Sequence, residues 1–388
     1  MFFGNGMDGI KEFSTSDKGS FAEYTVRERF PKIFRENCSE NYEDILKIIV
    51  EDGLKGSKHP GIEMMKKAVE QYKDLSIQEF FNDAPFLLAE FYFYHLLLCR
   101  WNYGEKRFDY FASKKDVISE EESLDFTNKL EDLFCQKENL YFEKKRSERK
   151  EKIKEWLPRL FSYSLSANTA DLSQAVDIQN DTVRTICDET DKCVEFLMKK
   201  IFDRGSRIDI ICDNSRKELF SDIYLAVFLL EFDFTKKVVL HLKPVPFFVS
   251  DATMDDFAKF VFLLTPGNRN SKLTKLLQSK QIEVSTDDFW VEPKYFDELP
   301  PKKFEKSDLI ILKGDLNYRR LIGDYNSEKK RTLTERNLCR FHNMPVIVFR
   351  VLKSDLICGV DPVFEAIAKN ADSEYKKSGK WGIIQTNF

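Results

Sequence analysis

Apolar and polar positions alternate differently in the two halves of this chain. Residues 21–37 carry apolar side chains at Phe21, Tyr24, Phe30, Ile33 and Phe34, close to helical spacing. Residues 42–50 and 61–72 repeat that pattern. Residues 86–101 are apolar nearly all round, which predicts a buried helix. Residues 119–154 are highly charged and predict a long helix with a solvated face, the basic run KKRSERKEKIK included. After about residue 200, short apolar runs alternate with amphipathic stretches. Strands are expected at 207–212, 237–242, 308–313 and 344–350, and helices at 218–231 and 254–264. Such alternation predicts an α/β fold, a three-layer α/β/α sandwich with a mostly parallel sheet. A mainly helical N-terminal domain (1–200) is expected to precede the α/β catalytic domain (201–388).

Composition adds limits. The chain has 388 residues, 42% of them apolar and 32% charged, so a packed core is expected. The 61 basic and 65 acidic side chains give a net charge of -4, which argues against a nucleic-acid-binding domain. The 35 phenylalanines point to an aromatic-rich core. Eight scattered cysteines without a CxxC pair, and only four histidines, disfavour a Cys/His zinc site. No secretory signal is visible at the N-terminus, and the most apolar stretch, 86–99, is too short to span a bilayer and contains Glu90 and His95. Reduced thiols, no membrane partner and a cytoplasmic location, with the nucleus left open, are the expectations. Oligomeric state is not legible.

In an open parallel sheet, ligands gather at the carboxyl ends of the strands. The polar residues collect there. Asp213 and Asn214 follow the first expected strand, Asp251 lies beyond the second, Gly314, Asp315 and Asn317 follow the third, and Lys353 follows the fourth. Asp213 and Asn214 offer hard oxygen ligands suited to Mg²⁺ or Mn²⁺. Each of Asp213, Asn214 and Asp251 could instead cap the following helix. Together at neighbouring strand ends they form a three-oxygen site with open positions for water and a phosphate oxygen. In KGDLNYRRL, Gly314 permits a tight turn into a helix start that binds anions. Arg319 offers a fork of donors to phosphate, Asp315 and Asn317 can hold sugar hydroxyls, and Lys353 can act as a point charge. No GxSxG elbow or GxxxxGK[ST] loop is present, and no GxGxxG turn follows the first expected strand, so serine-hydrolase, P-loop and dinucleotide chemistry lack support.

Three segments carry a resemblance: CDNSRKELFSD at 212–222, PVPFFVSDATMDDF at 244–257 and KGDLNYRRLIGD at 313–324. Together they resemble the damage-control phosphatase family, in particular its eukaryotic subfamily III, also called the acidic residue methyltransferase group. Weaker matches, KGSFAEYTVRERFPKI at 18–33, APFLLAEFYFY at 84–94, FWVEP at 289–293 and GKWGIIQ at 379–385, extend it over nearly the whole chain. The resemblance implies a helical N-terminal domain beside an α/β/α sandwich. It also implies a metal on Asp213, Asn214 and Asp251, and substrate contacts at Asp213, Asn214, Asp315, Leu316, Asn317, Tyr318, Arg319 and Lys353. The implied activity is metal-dependent hydrolysis of small sugar phosphates such as fructose 1-phosphate and fructose 6-phosphate, with Mn²⁺, Ni²⁺ or Co²⁺ favoured, in metabolite damage control. An S-adenosylmethionine-dependent carboxyl methyltransferase and a catalytically weak binding protein are the alternative readings. Water or Asp213 could be the nucleophile.

The chain departs from the family pattern at three places. The subfamily's RTxK motif reads Arg350-Val351-Leu352-Lys353. Arg216 stands where relatives usually have glycine. Ser166-Ala-Asn168 and Asp171-Leu-Ser replace a Trp-Gly-Asn turn before Asp-Leu-Ser.

Overall fold

A computed structural model describes residues 11–115, 118–167, 183–265, 271–326 and 344–388. Its centre is a seven-stranded sheet. The strands are β2 (Arg184–Asp188), β3 (Ile208–Ile211), β4 (Val238–Leu242), β5 (Ile282–Thr286), β6 (Leu309–Lys313), β8 (Val346–Val351) and β9 (Trp381–Asn387). They lie in the order β2-β9-β8-β6-β3-β4-β5. A separate antiparallel pair joins β1 (Lys11–Glu12) to β7 (Tyr325–Asn326). All neighbours in the large sheet run parallel except β8 and β9. The four strands read from the sequence are the contiguous centre, β4-β3-β6-β8. Those four are buried at every position, which is why they appear as unbroken apolar runs. Strands β2 and β5, half-exposed at the two edges, and the antiparallel β9 left no such signal.

Alternate residues of each strand face opposite layers. Ile208, Ile210, Leu309 and Ile311 pack under helices Glu120–Glu143, Arg146–Ser166, Lys217–Glu231 and Met254–Leu264. Ile211, Ile310, Leu312 and Val348 pack against helices Asp315–Ile322 and Pro362–Ala371 and the turns around Trp290 and Phe296. Asp209 also faces this second layer and is fully buried. Arg207, His241 and Ser307 satisfy it: Arg207 bonds at 2.8 and 2.6 Å and His241 at 2.6 Å. Burial of such a carboxylate is tolerated only with partners of this kind.

The long charged helix expected at 119–154 is two helices, because Lys144 and Lys145 take extended backbone between Glu143 and Arg146. Both helices share one core with β3, β4 and β6, and β2 belongs to the sheet. The boundary in packing therefore falls nearer residue 115 than residue 200. The segment before it forms its own aromatic core around helix Phe86–Arg100, where Phe30 stacks on Phe93 at 4.0 Å. That core also takes in Val245, Phe247 and Leu316, so the helical layer sits on the carboxyl-end loops of the sheet. His95 fastens it there: Nε2 donates to the carbonyl of Val291 (2.8 Å), which leaves Nδ1 to accept from His59 (2.9 Å). Burial lowers the two rings to about 3 and about 4, so both are neutral.

No described helix is long and apolar enough to cross a membrane. The described cysteines form no disulfide with one another, and Cys339 lies outside the described residues.

Candidate functional site

Strand β3 ends at Ile211, and the N–H of Cys212 prolongs the ladder by donating to His241 O (3.1 Å). The loop after β4 then folds back on the loop after β3. Ala252 N donates to Asp213 O (2.9 Å), Ser215 N donates to Ser250 O (2.8 Å), and Asn214 bridges Asp251 in antiparallel register. This local pairing turns residues 37 positions apart into neighbours. Neither loop uses its aspartate as a helix cap. Thr253 and Asp256 form the capping box of helix Met254–Leu264, and helix Lys217–Glu231 begins at Arg216 without a side-chain cap.

Each oxygen donor is fixed by its own contacts. Asn214 Nδ2 donates to Asp213 Oδ2 (3.0 Å) and Glu218 Oε2 (2.8 Å), while its Oδ1 accepts from Ser250 Oγ (2.6 Å). That assignment leaves Oδ1 a second lone pair. Asp251 Oδ2 accepts from Phe248 N (2.9 Å), with Lys243 Nζ at 3.6 Å. Burial, then Glu218 and Asp251, push the Asp213 carboxyl well above the usual range, against the pull of Lys243 and Lys353. Crowded carboxylates of this kind are relieved by a cation. Two carboxylates and one amide are hard oxygen donors and too few to fill six positions, so the residues fit a divalent ion such as Mn²⁺ or Mg²⁺ that keeps open positions. Among the described residues no group of three or more His, Cys, Asp or Glu is arranged to hold a metal ion, so a site here depends on the amide of Asn214 beside its two carboxylates.

Gly314 opens this arrangement to the third strand. Its φ of +88° lies in glycine's territory, and a Cβ there would fall 2.0 Å from Asp213 Oδ2. The helix that follows, Asp315–Ile322, is fully buried. From its first turns the cleft receives Asp315, Leu316 and Arg319. Asn317 and Tyr318 do not reach the cleft. Asn317 Nδ2 donates to Lys313 O (2.8 Å), and the Tyr318 hydroxyl donates to Gln385 Oε1 (3.0 Å). Helical periodicity turns these two side chains inward, away from the cleft that Asp315, Leu316 and Arg319 line. Arg319 lines the cleft but is held by Asp324 on two nitrogens and by Glu90 on a third, so its charge is largely answered.

From β8, Arg350 binds Asp315 Oδ1 through Nε (2.8 Å) and Nη2 (2.7 Å), Ser354 Oγ (2.9 Å) and Leu356 O (2.6 Å). The Arg350 guanidinium holds Asp315 below the usual carboxylate range despite complete burial. This clamp shapes the turn that carries Lys353, whose N–H points at Asp315 Oδ1 (3.4 Å) and whose side chain lines the cleft. Val351 packs in the hydrophobic core, so a hydroxyl is not needed there for the cleft. Asn168 and Asp171 lie outside the described residues.

The cleft is small and opens to solvent. Its walls are Asp213, Asn214, Asp251, Asp315 and Lys353 from the sheet side, and Phe21, Arg29, Glu90, Tyr94 and Phe248 from the helical layer and the loop beneath it. Sequence reasoning missed the second group, and missed Glu218, Lys243 and Lys313. Lys313 was readable, since it is a lysine closing a strand that is otherwise all apolar. Glu218 lies in the first turn of the helix that follows Asn214.

Arg216 has φ 61° and ψ -130°, a conformation that costs an L-residue about 1–3 kcal/mol. Glycine, which the family resemblance expects there, adopts it freely. Arg216→Gly is predicted to raise stability by roughly 1 kcal/mol after glycine's extra unfolded-state entropy is subtracted. An upward shift of the urea midpoint at constant slope is the expected reading, and an unchanged or lower midpoint contradicts it.

The family model described as "Damage-control phosphatase ARMT1-like domain" matches residues 25–366. A curated relative from Xenopus tropicalis, "Damage-control phosphatase ARMT1", is 31% identical over 60% of this chain and 59% of its own length, so that match spans less than two thirds of the relative. Relatives of the same name from Danio rerio and Homo sapiens are each 24% identical, covering 98% and 96% of this chain and 97% of their own lengths. Among solved structures, a DUF89 family protein from Pyrococcus horikoshii is 13% identical, with a TM-score of 0.43 over 87% of this chain and 95% of that one.

Proposed function

Because the chain belongs to the ARMT1-like damage-control phosphatase family, we propose that it hydrolyses small sugar phosphates, fructose 1-phosphate and fructose 6-phosphate among them, with a divalent cation on Asp213, Asn214 and Asp251. One observation carries this reading. Three buried oxygen donors from two strand ends share one small cleft with Lys353, which is the combination that phosphoryl transfer needs. Mn²⁺ is the favoured ion, with Ni²⁺, Co²⁺ and Mg²⁺ as substitutes. When bound, the cation supplies positive charge against the phosphoryl oxygens.

The protein's own groups do the rest. Lys353 lines the same cleft as Asp213 and its charge favours that carboxylate, so it can also answer the charge of a phosphate seated there. Asp315 is pinned by Arg350 and Ser354, which fixes the side wall of the cleft. A fixed wall holds substrate in one orientation and so saves the entropy of aligning the reacting bond. Phe21, Tyr94 and Phe248 offer apolar faces to the carbon skeleton of a sugar and limit access of bulk water.

The direct test is phosphate release from a panel of sugar phosphates with Mn²⁺, Mg²⁺, Ni²⁺, Co²⁺ or EDTA. Metal-dependent release that Asp213→Ala lowers by about 100-fold or more is the expected result. No release with any metal would overturn the proposal, and metal-free binding of S-adenosylmethionine in the same preparation would move the assignment to methyl transfer.

A further inference from the structure

The charged side chains around the cleft differ in how firmly they are held, and Arg29 is held loosely. Asp315 is answered by Arg350, and Glu90 by Arg319. Asp251 has Lys243 at 3.6 Å, and Lys353 acts on Asp213. Arg29 makes no ion pair within 4 Å among the described residues, although its charge also acts on Glu90. Its guanidinium lies over the Phe21 ring at 5.0 Å, and Nη1 makes one long bond to Thr25 Oγ1 at 3.3 Å. The side chain is half-buried and lines the cleft. An arginine has five N–H donors, so most of this fork is free to serve a ligand.

The backbone places it there deliberately. Residues Thr25–Arg29 form a π-helical turn between two α-helical segments, Phe21–Tyr24 and Phe30–Asn37. Such a turn inserts one residue into the helical register and re-aims the side chains around it, and it concentrates at functional sites. The segment is moored to the α/β body near the Lys353 turn: Phe21 N donates to Asp355, and Lys377 Nζ donates to Gly19 O (3.1 Å). Phe21 in turn packs edge-on against Phe86 at 5.9 Å. Arg29 is thus carried on a held element, facing a cleft whose other arginine is already engaged.

We propose that Arg29 is a substrate-binding residue that reaches from the helical layer to the phosphoryl oxygens of the bound ester, so that the phosphate is gripped from both sides, by Lys353 below and by Arg29 above. This rests on the phosphatase reading. It assigns to the helical layer a direct part in recognising phosphate itself, and not merely in covering the cleft.

The test separates the two claims. Binding of inorganic phosphate to the Mn²⁺-loaded protein is measured by calorimetry for wild type, Arg29→Ala and Arg29→Lys, and turnover is measured with fructose 1-phosphate and with phenyl phosphate, which has no sugar. Loss of a charge-assisted fork predicts phosphate affinity about 10- to 100-fold weaker in Arg29→Ala, a similar rise in KM for both esters, and partial recovery in Arg29→Lys. Wild-type phosphate affinity retained by Arg29→Ala overturns the proposal while wild-type turnover leaves the phosphatase reading standing. A loss confined to the sugar ester also overturns it, since Arg29 would then read the sugar. A wild-type protein that neither binds phosphate nor turns over either ester removes the phosphatase reading and this proposal with it.

Discussion

Replacing Gly314 with alanine is expected to abolish phosphate release while leaving a cooperatively folded protein. The added Cβ would sit 2.0 Å from Asp213 Oδ2, 2.2 Å from its Cγ and 2.7 Å from its Cβ. These atoms belong to a short, buried side chain at the end of a central strand, so they cannot swing aside as the tip of a long side chain would. The carboxylate must leave its place beside Asn214 and Asp251. A displacement near 1 Å in such a site costs about 100-fold in rate, and outright loss of a metal donor costs more. The backbone adds its own penalty, because φ +88° with ψ 167° is disfavoured for an L-residue, and a total destabilisation of roughly 2–4 kcal/mol is expected. Two measurements check this: phosphate release at saturating Mn²⁺, and the urea midpoint. In an Asp213→Gly background all three clashing atoms are gone, so the same substitution is expected to cost only the backbone part. A Gly314→Ala protein with wild-type turnover would show that Asp213 is not held where the structure places it.

The second large effect is expected below the cleft. Lys313 is fully buried, and its Nζ donates to Asp222 Oδ1 (2.9 Å), Ser164 O (2.9 Å) and Ser164 Oγ (2.7 Å), with Glu218 Oε1 at 3.9 Å. Burial raises the carboxyls of Asp222 and Glu218, and the two carboxylates in turn raise Lys313. Methionine matches the length of the lysine stem but removes the only cation touching Asp222 among the described residues. Breaking a buried pair in this way costs about 3–5 kcal/mol, because a charge is left in the core without a partner. Activity should fall as well, since Glu218 also holds the amide of Asn214 at 2.8 Å. The double variant Lys313→Met/Asp222→Leu discriminates between charge and packing. If the stranded charge is the cause, the double variant regains much of the stability lost by the single one. If the double variant is no more stable than Lys313→Met, the loss is one of packing.

Much of the site was legible because its residues follow the strands that are easiest to read. Strands β3, β4, β6 and β8 are buried on both faces, so each is an apolar run, and the residue after each run had to be at a carboxyl end. That places Asp213, Asn214, Asp315 and Lys353 at one edge of the sheet. Asp251 was harder. It lies nine residues past the end of β4, and only the antiparallel bridge to Asn214 brings it back. Arg319 was read as a phosphate fork from its residue type alone. Its engagement by Glu90, more than two hundred residues away in the chain, could not be read from local pattern.

The sequence by itself determined the layer order, the central strands and the residues offered at their ends, because burial on both faces and helical periodicity leave marks within a few adjacent positions. Only the tertiary structure decided which of those residues meet. Asn317 and Tyr318 turn inward while Asp315 and Arg319 turn to the cleft, because one helix lies against the sheet on one side and the opening on the other. It also decided the charges, since whether an arginine is spoken for depends on carboxylates brought in from distant segments. That is why Arg319 and Arg29, alike in the sequence, differ in what they have left to offer.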